Sequence, residues 1–336
     1  MRSLRCERGG NPVFSGLLSV LTAPELLHIP DGFLSTPVAL VGWLLAIILI
    51  GVALYQTRGQ LGEKQIPLMG VVAAFIFAAQ AINVPIGGGT SGHLLGGALA
   101  AIILGPWAAV LVMTAVISVQ ALLFQDGGVL VLGWNIINMG ILTAFTGFAI
   151  YNALKSILGN TRTAVLVAGG VGGWLSMMVG AAATAVEIAL SGTSPLAIAL
   201  PSMLSVHAVL GLIEAFITVG ALAFISAARP DLLEIGAHAP ARSSAGWVAG
   251  GLGIALVVAA LSPLASPDPD GLERVAEDVG FLDTALEPAY NLLPDYTIPG
   301  IENGVVSGII AVMLGTVIVF GLSYFVGRLL GRRVQV

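Results

Sequence analysis

Apolar residues run along this chain in long blocks, and polar residues fall mostly between them. A membrane-crossing helix needs about 20 consecutive apolar residues. Blocks of that kind lie near 38–56, 66–84, 106–124, 129–153, 163–189, 198–227, 246–263 and 305–327, with a shorter one at 93–104. The short block is predicted to be a half-helix that follows a glycine-rich loop, or to join the next block through Gly105-Pro106. Residues 85–92 are too rich in glycine and proline for a helix. Inside a bilayer such backbone is tolerated only where it is buried in protein or lines a cavity. The pattern predicts an all-α polytopic membrane protein.

Composition agrees. Hydrophobic residues make up 57% of the chain and charged residues 9%, against about 25% charged in soluble domains. Mean hydropathy is +0.99. The single cysteine, Cys6, excludes an internal disulfide framework and a Cys-rich metal cluster. The 44 glycines fit close helix packing in lipid.

The basic residues orient the chain. With residue 28 outside, Arg58 and Lys64, Lys155 and Arg162, Arg229 and Arg242, and Arg328, Arg332 and Arg333 all fall inside, and past residue 28 only Arg274 falls outside. The positive-inside rule therefore predicts nine crossings, with the N-terminus outside and the C-terminus cytoplasmic. The outer segment 264–304 differs from the other loops, with nine acids against one arginine. It divides the chain into a seven-span core, 27–235, and a two-span hairpin, 236–336, preceded by an extension, 1–26. In that extension Arg2, Arg5 and Arg8 precede a modest apolar run, as in a signal peptide, but Pro24-Glu25 fits cleavage poorly. The second reading is that translation begins at Leu27, from a leucine-type codon read as Met.

Candidate chemistry gathers at the outer face. His28 opens the turn His28-Ile29-Pro30-Asp31-Gly32, and His93 ends the run Gly87-Gly88-Gly89-Thr90-Ser91-Gly92-His93. Two imidazoles at one membrane face point to a divalent, borderline-soft metal. Asp31 and Gly32 are expected to fold the segment back over the core. Thr90 and Ser91 are expected to satisfy the glycine-rich backbone. His207 and Glu214, seven residues apart, share one helix face and are expected to support the site rather than ligate. Glu187 is placed at an outer helix end, facing water. Asn135 and Asn138 are expected between helices, and Met113, Met139, Met177 and Met178 in packing. The acidic loop is expected to concentrate cations near the entrance without a metal site of its own. Gly42 and Ala46 offer a possible small-residue docking face.

The motifs resemble a known family. Leu27-His28-Ile29-Pro30-Asp31-Gly32-Phe33-Leu34, Pro85 to Gly97, Gln120 to Gly128, Asn135 to Gly140 and Val206 to Ala215 are similar to the CbiM/NikM proteins. These are the substrate-binding membrane subunits of energy-coupling-factor transporters for cobalt and nickel. Pro269-Asp270-Gly271-Leu272-Glu273 resembles the small two-span partner NikN, fused here to the core. The resemblance implies that the metal is held by the amine of residue 27, the main-chain nitrogen and imidazole of His28, and His93. An amine next to a histidine closes a five- and a six-membered chelate ring, and a fourth nitrogen completes a plane, which nickel(II) accepts. The scheme needs a free amine at residue 27. Nickel or cobalt is then cargo, with no resident cofactor.

The sequence contains no Gly-x-x-x-x-Gly-Lys-Ser/Thr, so ATP hydrolysis falls to other chains. The resemblance implies a membrane coupling (T) subunit and cytoplasmic ATPases, in the inner (plasma) membrane, with the lipid bilayer as surroundings and no nucleic acid. Two other classes compete. One is an intramembrane metalloenzyme using His93, His207 and Glu214, although no His-Glu-x-x-His is present. The other is a proton-coupled secondary transporter using Glu187, His207 and Glu214.

Overall fold

The structure, a computed structural model, describes residues 28–229, 232–233 and 244–331. The expectations for residues 1–27, among them the Leu27 nitrogen, and for Arg242, Arg332 and Arg333 lie outside the described residues.

The apolar blocks are helices: α1 (Thr36–Thr57), α2 (Gln65–Gln80), α3 (Gly97–Leu104), α4 (Pro106–Phe124), α5 (Leu132–Leu158), α6 (Arg162–Leu190), α7 (Leu196–Ala228), α8 (Ser244–Ala260), the short α9 (Gly271–Val279) and α10 (Gly304–Leu330). Six of them, α1, α4 to α7 and α10, are long and apolar enough to cross a bilayer, while α2 and α8 are shorter apolar helices. The chain is a multi-pass membrane protein.

The short block is a half-helix. α3 follows the glycine-rich loop, and Gly105, at φ 82°, turns the chain into Pro106 at the start of α4. The turn suits both residues: glycine adopts positive φ without strain, and proline at the first helical position gives up an N–H that would be unpaired anyway. The loop before α3 takes a form the hydrophobic pattern does not show. Val84–Gly87 and Thr90–Gly92 pair as a small antiparallel hairpin. The end of α4, Gln120–Phe124, and the stretch Ile136–Leu142 of α5 widen into π-helical turns, a feature frequent at functional sites.

The helix ends gather at two faces. At one, the Gly59 N–H donates to the Leu330 carbonyl (2.7 Å), Arg162 donates to the Ala223 carbonyl (3.3 Å), and the Arg229 guanidinium lies over the Trp247 ring (5.4 Å). At the other, the loops interlock: Ser91 N–H to Pro269 carbonyl (2.8 Å), Ser266 N–H to Asn83 carbonyl (2.8 Å) and Leu286 N–H to Asp31 carbonyl (2.7 Å). The described basic residues other than Arg274 thus share a face away from His28 and His93.

Small residues let the helices meet closely. A methyl group added at Gly147 would stand 2.4 Å from the Ala98 side chain, and one at Gly169 would stand 2.2 Å from Leu222. The proposed docking face on α1 is corrected here. Gly42 and Ala46 are buried, and Gly42 packs against Trp134 of α5, so the small-residue stripe is used within the chain. The exposed side of α1 carries Leu40, Leu44, Ile47 and Ile48 instead.

Candidate metal centre

Residues 28–34 lie folded against the starts of α1 and α5, as Asp31 and Gly32 predict. Asn135 holds Ile29 as a neighbouring strand would: its Oδ1 accepts from the Ile29 N–H (3.2 Å) and its Nδ2 donates to the Ile29 carbonyl (3.0 Å). Asp31 Oδ1 accepts from the Val131 N–H (3.2 Å), and Thr193 donates to the Phe33 carbonyl (2.6 Å). Such close approach leaves no room beside Gly127 and Gly128. A Cβ on Gly127 would lie 2.8 Å from the His28 Cβ, and one on Gly128 would lie 2.1 Å from Asp31 Oδ1.

His28 is 2% exposed. Its Nδ1–H donates to Asp126 Oδ1 at 2.5 Å, and the other oxygen of Asp126 accepts from the Tyr296 hydroxyl at 2.6 Å. The Tyr296 ring stacks on Phe124, with centroids 4.7 Å apart. A carboxylate on one ring nitrogen leaves the lone pair on the other. That other atom, His28 Nε2, is buried and has no hydrogen-bond partner.

His93 stands opposite, with ring centroids 5.4 Å apart. Its Nδ1–H donates to the Leu94 carbonyl (2.9 Å), so its lone pair also falls on Nε2. The loop behind it is held by Glu214, whose two oxygens accept the N–H groups of Leu95 (2.7 Å) and Gly96 (3.1 Å). Gln80 donates to the Leu95 carbonyl (2.8 Å).

Both imidazoles line a cavity of about 70 Å³, room for an ion together with a few waters or further donors. Asn138, Met139, Met177, Thr184 and Met203 are also part of the wall. Asp270 and Gly271, from the acidic loop, close it from outside. Asp270 also caps α9, its Oδ1 accepting from the Glu273 N–H (2.7 Å). Burial pushes its carboxyl above the usual aspartate range, opposed by that N–H and by the nearby His93 and His28.

Some sequence expectations change and others do not. His207 reaches the cavity, with its Nδ1–H donating to the Met203 carbonyl (2.8 Å), but Glu214, two turns further along, braces the His93 loop and lines no part of it. Glu187 does not face water. It is 3% exposed and accepts from Asn138 Nδ2 at 2.8 Å. Thr90 is buried, and Ser91 serves the acidic loop rather than its own backbone, its hydroxyl donating to the Asp268 carbonyl (2.6 Å). Met139 and Met177 reach the cavity, where packing alone was expected. Sequence reasoning missed Asp126, Tyr296 and Asp270 as neighbours of the histidines. The first and third stand inside the motifs quoted above. Tyr296 carries no such signal.

Among the described residues, no three His, Cys, Asp or Glu side chains converge to hold an ion. The two histidines therefore need donors of another kind. A six-membered ring from the His28 main-chain nitrogen closes on Nδ1, the atom that here bonds Asp126.

Residues 28–232 match the model of the cobalt uptake substrate-specific transmembrane region, CbiM. The chain belongs to the CbiM family. This is a family of transport proteins, not enzymes, which removes the metalloenzyme reading. Residues 245–332 match the PDGLE domain. Among relatives of this CbiM-family chain, the putative fused nickel transport protein NikMN of Archaeoglobus fulgidus is 39% identical over 90% of this chain and 98% of its own length. The cobalt transport protein CbiM of Sorangium cellulosum is 33% identical over 62% of this chain and 95% of its own. A crystal structure described as a truncated transition metal transporter superposes with TM-score 0.55 at 34% identity, covering 60% of this chain and 99% of that one.

Proposed function

We propose that this protein captures nickel or cobalt from outside the cell for uptake, in the cavity between His28 and His93. The observation that carries this reading is the pair of buried imidazoles, one with an unpartnered Nε2, on one small cavity. The amine of residue 27 completes the donor set, with Nε2 of His28 as the imidazole donor on that side. Asp270 lends the cavity a carboxyl, so the acidic loop contributes directly to how the cation is received. The face that carries His28 is the outer one, and the basic face is cytoplasmic; the chain makes nine crossings, with the loop 84–97 and α3 together forming one of them. Core and hairpin divide near residue 235. Energy comes from a membrane coupling subunit and cytoplasmic ATPases, in the plasma membrane, and the ion is released inside.

The test is metal content of the purified chain after dialysis against nickel or cobalt, together with its intact mass. One ion per chain is expected, on a chain that begins at residue 27. His93→Ala should weaken binding by more than about 100-fold, beyond the range of outer-partner changes. Stoichiometric binding that survives both His28→Ala and His93→Ala would refute the site. Metal held by a chain that still carries Met1 would refute the amine donor alone.

A further inference from the structure

The core and the C-terminal hairpin do not close on each other at the basic face. Between α2, α3, α7 and α8 runs a groove of about 340 Å³. Its walls are carbon almost throughout, with Leu68, Phe75, Ile103, Ile217, Phe224 and Ile254 among them. It opens sideways, since Phe224 is 52% and Ile254 39% exposed. Helices in a bilayer gain their packing energy from close contact, and a groove of this size forgoes that contact unless something fills it.

What adjoins the groove says what fills it. A second, smaller pocket shares Leu68 and Trp247 with the first and is lined by Lys64 and Arg229. Lys64 is exposed. Arg229 is buried, 5% exposed, and lies over the Trp247 ring at 5.4 Å. An apolar slot therefore runs into a mouth that Lys64 makes basic, with an indole where the two meet. Indoles favour the level of lipid headgroups, and basic pockets between membrane helices bind anionic headgroups. One molecule has both halves: an anionic phospholipid.

We propose that an anionic phospholipid occupies this seam, with an acyl chain in the groove and its phosphate at Lys64. It fastens the C-terminal hairpin to the core at the face opposite the metal cavity. The slot has space that the fold does not use. A Cβ added at Gly220 would meet nothing within 4 Å, so a larger side chain there fills the groove without displacing a helix.

The experiment is native mass spectrometry of the full chain in detergent, titrated with palmitoyl-oleoyl phosphatidylglycerol or phosphatidylcholine. A retained phosphatidylglycerol adduct is expected, preferred over phosphatidylcholine. Lys64→Gln should cut that preference roughly fivefold, the worth of one basic contact to an anionic headgroup. Gly220→Leu should reduce binding of both lipids and leave nickel binding unchanged, which shows that the variant is folded. Equal affinity for the two lipids, or a Gly220→Leu chain that binds phosphatidylglycerol like the parent, would overturn the proposal. So would a dimer that Gly220→Leu disrupts, because a second copy would then be the occupant.

Discussion

The two walls of the metal cavity do the same work by different means. The His93 wall is a loop of irregular backbone, 84–97, braced from behind by one carboxyl group, Glu214, that takes two of its N–H groups. The His28 wall is held by many smaller contacts. Asn135 and Asp31 fix its backbone, and the ring itself is set by Asp126, which is in turn held by Tyr296 from the acidic loop. One wall therefore concentrates its buried N–H support on one carboxyl, with single bonds from Gln80 and Ser91 beside it, and the other spreads its support over several elements. Damage at the first should be large and general. Damage at the second should be graded and should show in metal affinity before it shows in stability.

The largest effect among the supporting residues is expected at Glu214. Glu214→Ala leaves two N–H groups without their acceptor in a buried place, and each unsatisfied group costs about 1–3 kcal/mol. A lower thermal midpoint should accompany metal binding weakened well beyond tenfold. If the midpoint and the affinity both stay at the parent values, the His93 loop has other support and the contrast between the walls fails.

Asp126→Asn comes next. Partners that orient a metal-bound histidine are worth roughly 10–100-fold in affinity, so nickel affinity should fall within that range in equilibrium dialysis while the thermal midpoint moves little. A rise in affinity would teach something different. It would mean that Asp126 competes with the metal for Nδ1 of His28, and it would assign chelation to that atom.

Tyr296→Phe removes one hydroxyl and keeps the ring stacked on Phe124. Losing a hydrogen bond to a charged group costs about 1.5–3 kcal/mol where it acts directly. Here it acts through Asp126, so a several-fold loss of nickel affinity is expected, smaller than that of Asp126→Asn. Combined, the two changes should cost no more than Asp126→Asn alone, since they lie on one path. Full additivity would separate Tyr296 from the histidine and confine it to packing.

How much of this was legible in the sequence follows from the kind of interaction. The helices read well because burial in lipid leaves long apolar blocks, and even the half-helix α3 showed as a block too short to cross. The two histidines read well because ionisable groups in such a chain are rare. The strand pair 84–92 was less visible, since glycines dominate it and leave little alternation of side chains to read. Glu187 was misplaced because position along a helix does not say which face turns inward. Asp126 and Tyr296 are 170 residues apart, and no local pattern links residues that meet only when the external loop folds over the core. Gly42 and Ala46 looked like a surface for a partner because small residues mark close contact without saying with what; here it is Trp134.

The smallest effect is expected at Asp295, where the acidic loop meets the core. Asp295 sits in the left-handed region at φ 49°. Partial burial, and then the nearness of Asp126 and Glu287, raise its carboxyl above the ordinary aspartate range. A raised carboxyl is easier to ionise in the unfolded chain, so this residue opposes folding once the pH passes its folded value and is neutral in effect below the unfolded one, about 3.9. Asp295→Asn removes the charge and suits the backbone, because asparagine tolerates positive φ. The thermal midpoint should rise slightly at pH 7, with the gain gone near pH 3 and nickel affinity close to the parent's. A gain that persists unchanged at pH 3 would trace to the backbone alone. A drop in affinity at pH 7 would mean that the charge of Asp295 reaches His28 through Asp126, and that the acidic loop tunes the His28 wall electrostatically as well as by the Tyr296 hydroxyl.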